Sequence, residues 1–242
     1  MSTLTWGRYI QGDFIMVYAS KLAQCANMHK YNSQLDAISE FKTVVYEHKA
    51  HVSKEMVAKA EMTELPVAQQ EEIANLVSAT YESATELTSS LCAASIQSLP
   101  PNILAQVKTD MYTKHGTEQE SAIRQSVSAT LKKKIQILDK FKAAKEPIVT
   151  VNGIEVYIGG KHDGMVDGKI VEIKTRQSRF LGTPVYELVQ VHAYMYIFGT
   201  RQAMIVESYL GQERVHEIAF DDGFWDTVKS NMNGFVEELV IL

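Results

Sequence analysis

Asp163, Glu172 and Lys174 stand close together in the stretch 160–175, GKHDGMVDGKIVEIKT. Val171 and Ile173 are β-branched, and Gly168 and Thr175 bracket them, so the segment reads as a short strand. Residues two apart in a strand share a face, which puts Glu172 and Lys174 side by side, roughly 6.6 Å apart along the backbone. Val171 and Ile173 then point the other way, into a core. A carboxylate and an ammonium on a largely buried strand cost free energy unless something uses them. Asp163 precedes Gly164 at the end of another strand, and a hairpin through Val166-Asp167-Gly168 returns it to the side of Glu172. Two carboxylates and a lysine in this arrangement suit metal-assisted attack on a phosphate ester. Mg²⁺ takes hard oxygen ligands and keeps several waters, and it stabilises charge on a phosphate oxygen. A lysine beside such a site orients or deprotonates a water. The plainer alternative is a half-exposed strand with an i,i+2 ion pair and a turn aspartate.

The flanking sequence supplies elements to hold this stretch. Ile148–Val151 and Ile154–Ile158 read as strands joined at Asn152-Gly153, a strong hairpin signal. With 169–175 they make three consecutive strands. Residues 183–199 read as a helix, with Thr183 as cap, Pro184 in its first position and Gly199 at its end. On it Gln190 and Tyr194 lie one turn apart on one face, with Glu187 one turn before. His192 faces elsewhere and reads as a packed or surface histidine. Two more strands, 203–209 and 214–220, surround Gly211, and Asp221-Asp222 opens a final helix whose Phe224, Trp225 and Phe235 seal the core.

Upstream, residues 116–145 read as a helix opened by Thr117. Glu120, three residues on, completes a capping box. Ile123, Val127, Leu131, Ile135 and Leu138 form its apolar stripe, and Lys132, Lys133 and Lys134 make its far half basic, a solvated face or a phosphate contact. Residues 1–48 read as a short lead followed by helix, broken at 27–33. Residues 49–99 read as amphipathic helix ended by Pro100-Pro101.

The net charge of −5 excludes a general nucleic-acid coat but leaves room for local basic patches. Cys25 and Cys92 are too few and too far apart for a zinc site or a disulfide framework. No stretch reaches the ~18 apolar residues of a membrane span. The N-terminus lacks a basic region followed by an apolar one, so an intracellular setting is expected.

Taken in order, these motifs resemble the PD-(D/E)XK nuclease superfamily, and within it the lambda-exonuclease (YqaJ-like, RecB-like) branch of viral and phage recombination nucleases. Gly116-x3-Glu120 resembles the first acidic motif, Asp163-Gly164 the second and Glu172-Ile173-Lys174 the third. Gln190-x3-Tyr194 resembles the Q-x3-Y motif, and Ala19-Ser20 the N-terminal Ala-Ser. Two positions depart. Lys21 follows Ser20 where relatives carry an acid, and Asp13 stands where lambda exonuclease has the arginine that grips a 5′-phosphate. Residues 49–111 match nothing in the family.

The resemblance implies an α/β fold with a restriction-endonuclease-like core, a central mixed β-sheet flanked by helices. It implies one nuclease domain over 1–242. In it, 1–111 is a mainly helical N-terminal region with an insertion at 49–100, and 112–242 is the catalytic core. The implied activity is a Mg²⁺- or Mn²⁺-dependent deoxyribonuclease, an exonuclease at duplex ends. Glu120, Asp163, Glu172 and the Ile173 carbonyl would bind metal, Lys174 would act on the attacking water, and Gln190 and Tyr194 would orient it. Ser20, Lys132, Lys133, Lys134, Arg176 and Arg179 would touch DNA. Implied partners are DNA, a single-strand annealing or other recombination protein, and further copies of the chain, a ring trimer in the lambda-exonuclease pattern. A structure-specific or restriction-like endonuclease, or a non-catalytic DNA-binding protein keeping the fold, stays open as an alternative.

Overall fold

The computed structural model describes residues 8–11, 14–39, 41, 101–137 and 141–240. The chain forms two compact units, Met1–Val52 with Gln125–Leu242, and Ser53–Arg124. Residues 49–100, the expected insertion, lie outside the described residues, as does Asp13.

The first unit is α/β, with mixed sheets flanked by helices. One sheet holds β1 (Arg8–Gln11), β2 (Phe14–Tyr18), β3 (Lys142–Ala143), β4 (Val149–Val151) and β5 (Ile154–Gly160). Strand β5 pairs in parallel with β2 and antiparallel with β3 and β4. The other sheet runs in the order β6 (Gly164–Val166), β7 (Lys169–Thr175), β8 (Gln202–Tyr209) and β9 (Gln212–Ala219). Strands β7 and β8 are parallel and the outer pairs antiparallel. The three hairpin turns Asn152-Gly153, Asp167-Gly168 and Leu210-Gly211 each have positive φ at both residues. Mirror-image two-residue turns of this kind follow the strand twist.

The hairpins and the last two strands match the sequence expectation. The N-terminal lead does not, because Arg8–Gln11 and Phe14–Tyr18 are strands. The parallel docking of β2 on β5, with β1 antiparallel on its outer edge, is a long-range pairing that local pattern does not announce. The expected mixed β-structure flanked by helices is present, arranged as two hydrogen-bonded sheets.

Three helices cover the sheets. The short α1 (Ala19–Cys25) packs on α3 (Val185–Phe198), with α4 (Asp222–Val240) beside both. Helix α3 buries most of its circumference, from Val189 and Val191 to Met195 and Ile197. His192 is packed inside, as expected. Its Nδ1 lies 2.8 Å from the Leu188 carbonyl, its Nε2 accepts from the Asp221 N–H, and Phe220 and Phe224 flank the ring. At the start of α3 the cap is Pro184, not Thr183, and its carbonyl takes the Glu187 and Leu188 N–H groups. Gly199 ends the helix in the left-handed conformation, as expected.

A further helix, α2, runs Pro101–Leu131. It corrects two expectations. Thr117 is in mid-helix, so it opens nothing and Glu120 is not part of a capping box. The helix also stops at Leu131 rather than 145. Lys132 takes φ +52°, and the Lys132 and Lys133 N–H groups bond back to the Ala129 and Ser128 carbonyls. Ser128 Oγ then accepts the Ile135 N–H. This is a left-handed helix stop with lysine where glycine is usual.

Candidate active site

Strand β7 carries the site because its hairpin partner delivers an aspartate to its edge. Val166 pairs with Lys169 and Gly164 with Val171, so Asp163 emerges level with Glu172, one residue from Ile173. There Asp163 Oδ2 accepts the Ile173 N–H at 2.6 Å. The carbonyl of a strand residue leaves on the same side as its N–H, so the Ile173 carbonyl faces the Asp163 edge. Gly164 is required here, since a Cβ would lie 2.3 Å from Ile135 Cγ2.

Glu172 and Lys174 share a face, as their spacing predicts. Lys174 Nζ donates to Glu172 Oε1 and to Gln190 Oε1, each at 2.9 Å. Gln190 Nε2 donates to Glu172 Oε1 at 2.9 Å and lies 3.0 Å from the Tyr194 hydroxyl. One glutamine amide therefore fixes acid, lysine and tyrosine from a single turn of α3. Tyr194 fits only because Gly160 faces it, since a Cβ there would meet the ring at 2.7 Å.

The electrostatics follow from burial and pairing. Burial opposes the charge on Lys174, but Glu172, with smaller contributions from Glu187 and Asp163, outweighs it and holds the ammonium above its ordinary value. Burial and the Glu172 charge push the Tyr194 hydroxyl far up, so it keeps its proton. His162, beside Asp163, is almost fully buried, packed edge-on against Tyr194 and Phe198, and burial lowers its affinity for a proton.

The oxygen donors at the Asp163 edge fit a hard divalent cation, which is satisfied by one or two carboxylates, a carbonyl and waters. Among the described residues no three His, Cys, Asp or Glu side chains form a metal-holding group by themselves. Asp163, Glu172 and the Ile173 carbonyl are the donors that would hold one.

The other expected residues are dispersed. Glu120 lies on α2 within the second unit, paired with Arg124 at 3.3 Å. Ser20 is exposed on the first turn of α1, and Arg179 is exposed between β7 and α3. Lys132, Lys133 and Lys134 are exposed in the turn after α2, where Lys133 pairs with Asp167. Gln136 bonds in both directions with Met165, which lays this basic turn along the β6–β7 hairpin. Along that hairpin, Asp167 is roughly 13 Å from Asp163.

Arg176, expected to touch DNA, is held in an ion-pair network with Glu187 and Glu207. Its side chain is only 8% exposed. Nη1 and Nη2 fork onto the Glu187 carboxylate at 2.6 and 2.7 Å, and Nε donates to Glu207 Oε1 at 2.6 Å. Three of its five N–H donors are thus spent on the two carboxylates. Glu207, which sequence reading did not single out, also accepts the Leu181 and Gly182 N–H groups and contacts His216 Nε2 at 2.8 Å. Its only sequence signal is an acid within an apolar strand run.

No protein-family model matches the chain. No curated protein matches it either. Solved structures do. The chain is similar to LHK-Exo, an alkaline exonuclease from Laribacter hongkongensis, at 15% identity and TM-score 0.48, over 93% of this chain and 87% of that one. It is similar to SSO0001 at 12% identity and TM-score 0.49, over 95% and 78%. It is also similar to a phage-related exonuclease from Haemophilus somnus 129PT at 14% identity and TM-score 0.45, over 93% and 95%.

Proposed function

We propose that this chain is a Mg²⁺- or Mn²⁺-dependent deoxyribonuclease of the PD-(D/E)XK kind, hydrolysing phosphodiester bonds at Asp163, Glu172 and Lys174. The observation that carries the reading is the joint geometry on β7. Asp163 sits on the Ile173 N–H, while Glu172 and Lys174 are locked together by Gln190. A pair of acids at a polyanion's scissile bond is repulsive unless a cation sits between them.

The bound metal supplies Lewis-acid polarisation of the scissile phosphate and activation of water. Asp163 and Glu172 hold it, with the Ile173 carbonyl as a further donor. Lys174, kept charged by Glu172, donates to the attacking water and to the charge that develops on the phosphate. Gln190 holds that ammonium in place and Tyr194 holds Gln190. Ser20, Lys132, Lys133, Lys134 and Arg179 contact phosphates along the strand, where affinity is mainly electrostatic. The finer reading is an exonuclease at duplex ends in viral or phage recombination, working with a strand-annealing partner and as a homo-oligomer.

The test is digestion of end-labelled linear and closed circular duplexes with Mg²⁺. Linear DNA shortening from its ends, with circles intact and all activity lost in EDTA, is expected. Cutting of circles makes the chain an endonuclease. Tight binding without cleavage under any divalent ion makes it a binding protein.

A further inference from the structure

Beside the proposed active site stands an aromatic cluster that the mechanism does not use. His29 and Tyr186 lie ring to ring, 4.7 Å apart with planes tilted by 32°. The Tyr31 ring meets both, with centroids 6.3 Å away. Tyr186 is four residues before Gln190 on α3, so it continues the face that carries Gln190 and Tyr194. The cluster therefore begins one helical turn, about 5.4 Å, beyond the glutamine that holds Lys174.

Three features set it apart from ordinary packing. Tyr31 is 69% exposed, which no core aromatic is. A cation attends it, with Lys30 Nζ 5.3 Å from the Tyr31 ring centre. The backbone that presents the exposed ring is also held before anything binds. His29 Nδ1 accepts the Tyr31 and Asn32 N–H groups at 3.2 and 3.1 Å, which closes the turn that presents Tyr31. A fixed turn loses little conformational freedom on binding. Exposed rings beside a lysine suit the flat face of a nucleobase next to its phosphate.

We propose that His29, Tyr31 and Tyr186 form a stacking platform for an unpaired nucleobase of the strand whose phosphates enter the Asp163–Lys174 site, with Lys30 facing its backbone. This rests on the nuclease reading for its setting but not for its test.

The experiment uses the full chain and a single-stranded oligonucleotide carrying 2-aminopurine, whose fluorescence falls on stacking, in EDTA and low salt. The wild type is expected to quench it, with Tyr31→Ala weakening binding on the order of tenfold and losing most of the quench. Tyr31→Phe should behave as the wild type, because the ring stacks and the hydroxyl does not. Tyr31 is exposed, so Tyr31→Ala should fold, and its circular dichroism verifies that. Tyr186→Ala gives a second reading. Normal quenching by a chain that never cleaves DNA supports the platform and overturns the nuclease reading. Cleavage without quenching, or Tyr31→Ala and Tyr186→Ala binding like the wild type, overturns the platform.

Discussion

Lys174 is where the candidate chemistry is most exposed to test. Its ammonium is held charged by Glu172 and aimed by Gln190, so its loss should act on the rate and not on DNA affinity. Lys174→Ala is expected to lower the single-turnover rate at saturating DNA by about 10²–10⁴-fold. DNA affinity with Ca²⁺ in place of Mg²⁺ should change far less, since one contact among many is lost. Lys174→Arg should rescue poorly, because a planar fork cannot satisfy the single oxygens of Glu172 and Gln190 as an ammonium does. If Lys174→Ala loses affinity and keeps its saturated rate, the lysine is only a phosphate anchor. At this scale the sequence was readable because strand periodicity placed Glu172 and Lys174 together and the Asp167-Gly168 turn returned Asp163. Arg176 was not readable. Its role depends on Glu187 and Glu207, and nothing local to Arg176 announces the second.

Glycine decides how the elements meet at the site. Gly160→Ala should press a methyl group into the Tyr194 ring, 2.7 Å away. Overpacking of this kind costs about 1–3 kcal/mol. The expected outcome is a lower melting temperature together with a slower cleavage rate, because the tyrosine that supports Gln190 must move. A matching Tyr194→Phe change should keep stability closer to the wild type. An unchanged melting temperature in Gly160→Ala would show that the contact relaxes freely. The helix ends show why some boundaries were legible and one was not. Asn27 and Gly199 end α1 and α3 in the left-handed conformation, and both are residue types that favour it. Lys132 does the same for α2 and is not, so the apolar stripe pointed past the true end. Ile135 is still buried, as the stripe implied, but in an extended segment. The Gly116-x3-Glu120 motif misled similarly, since Gly116 lies inside α2 instead of before it.

For the molecule as a whole, acid stability should reflect Glu207. Burial alone would raise its proton affinity. The Leu181 N–H, the Arg176 guanidinium and the His216 ring outweigh burial and hold the carboxyl below its ordinary value. A depressed carboxyl stabilises the fold above its unfolded pKa and loses that contribution as pH falls through its folded value. The melting temperature should therefore drop as pH falls below the ordinary carboxylate range, and Glu207→Gln should flatten that drop. Because Arg176 would lose one partner in a buried network, Glu207→Gln should also cost about 3 kcal/mol at neutral pH. A wild-type melting curve for Glu207→Gln across this range would remove the network from the stability account. Among the described residues no helix is long and apolar enough to cross a membrane.

The same network also sets where the chain can change length. Between β7 and α3 the backbone is fastened at Arg176, whose N–H bonds the Ser208 carbonyl, and again at Leu181 and Gly182 on Glu207. Only residues 177–180 run between those fastenings. Residues inserted or deleted there would alter the reach of Arg179 while leaving Lys174 and Gln190 in register. The same edit one step to either side would shear strand from helix and pull the two apart. Phe180 is itself held by the Tyr209 ring and the Arg214 guanidinium, so 177–179 behaves as an exchangeable cassette in a fixed frame, and variation in length among relatives would be tolerated there before anywhere else near the site.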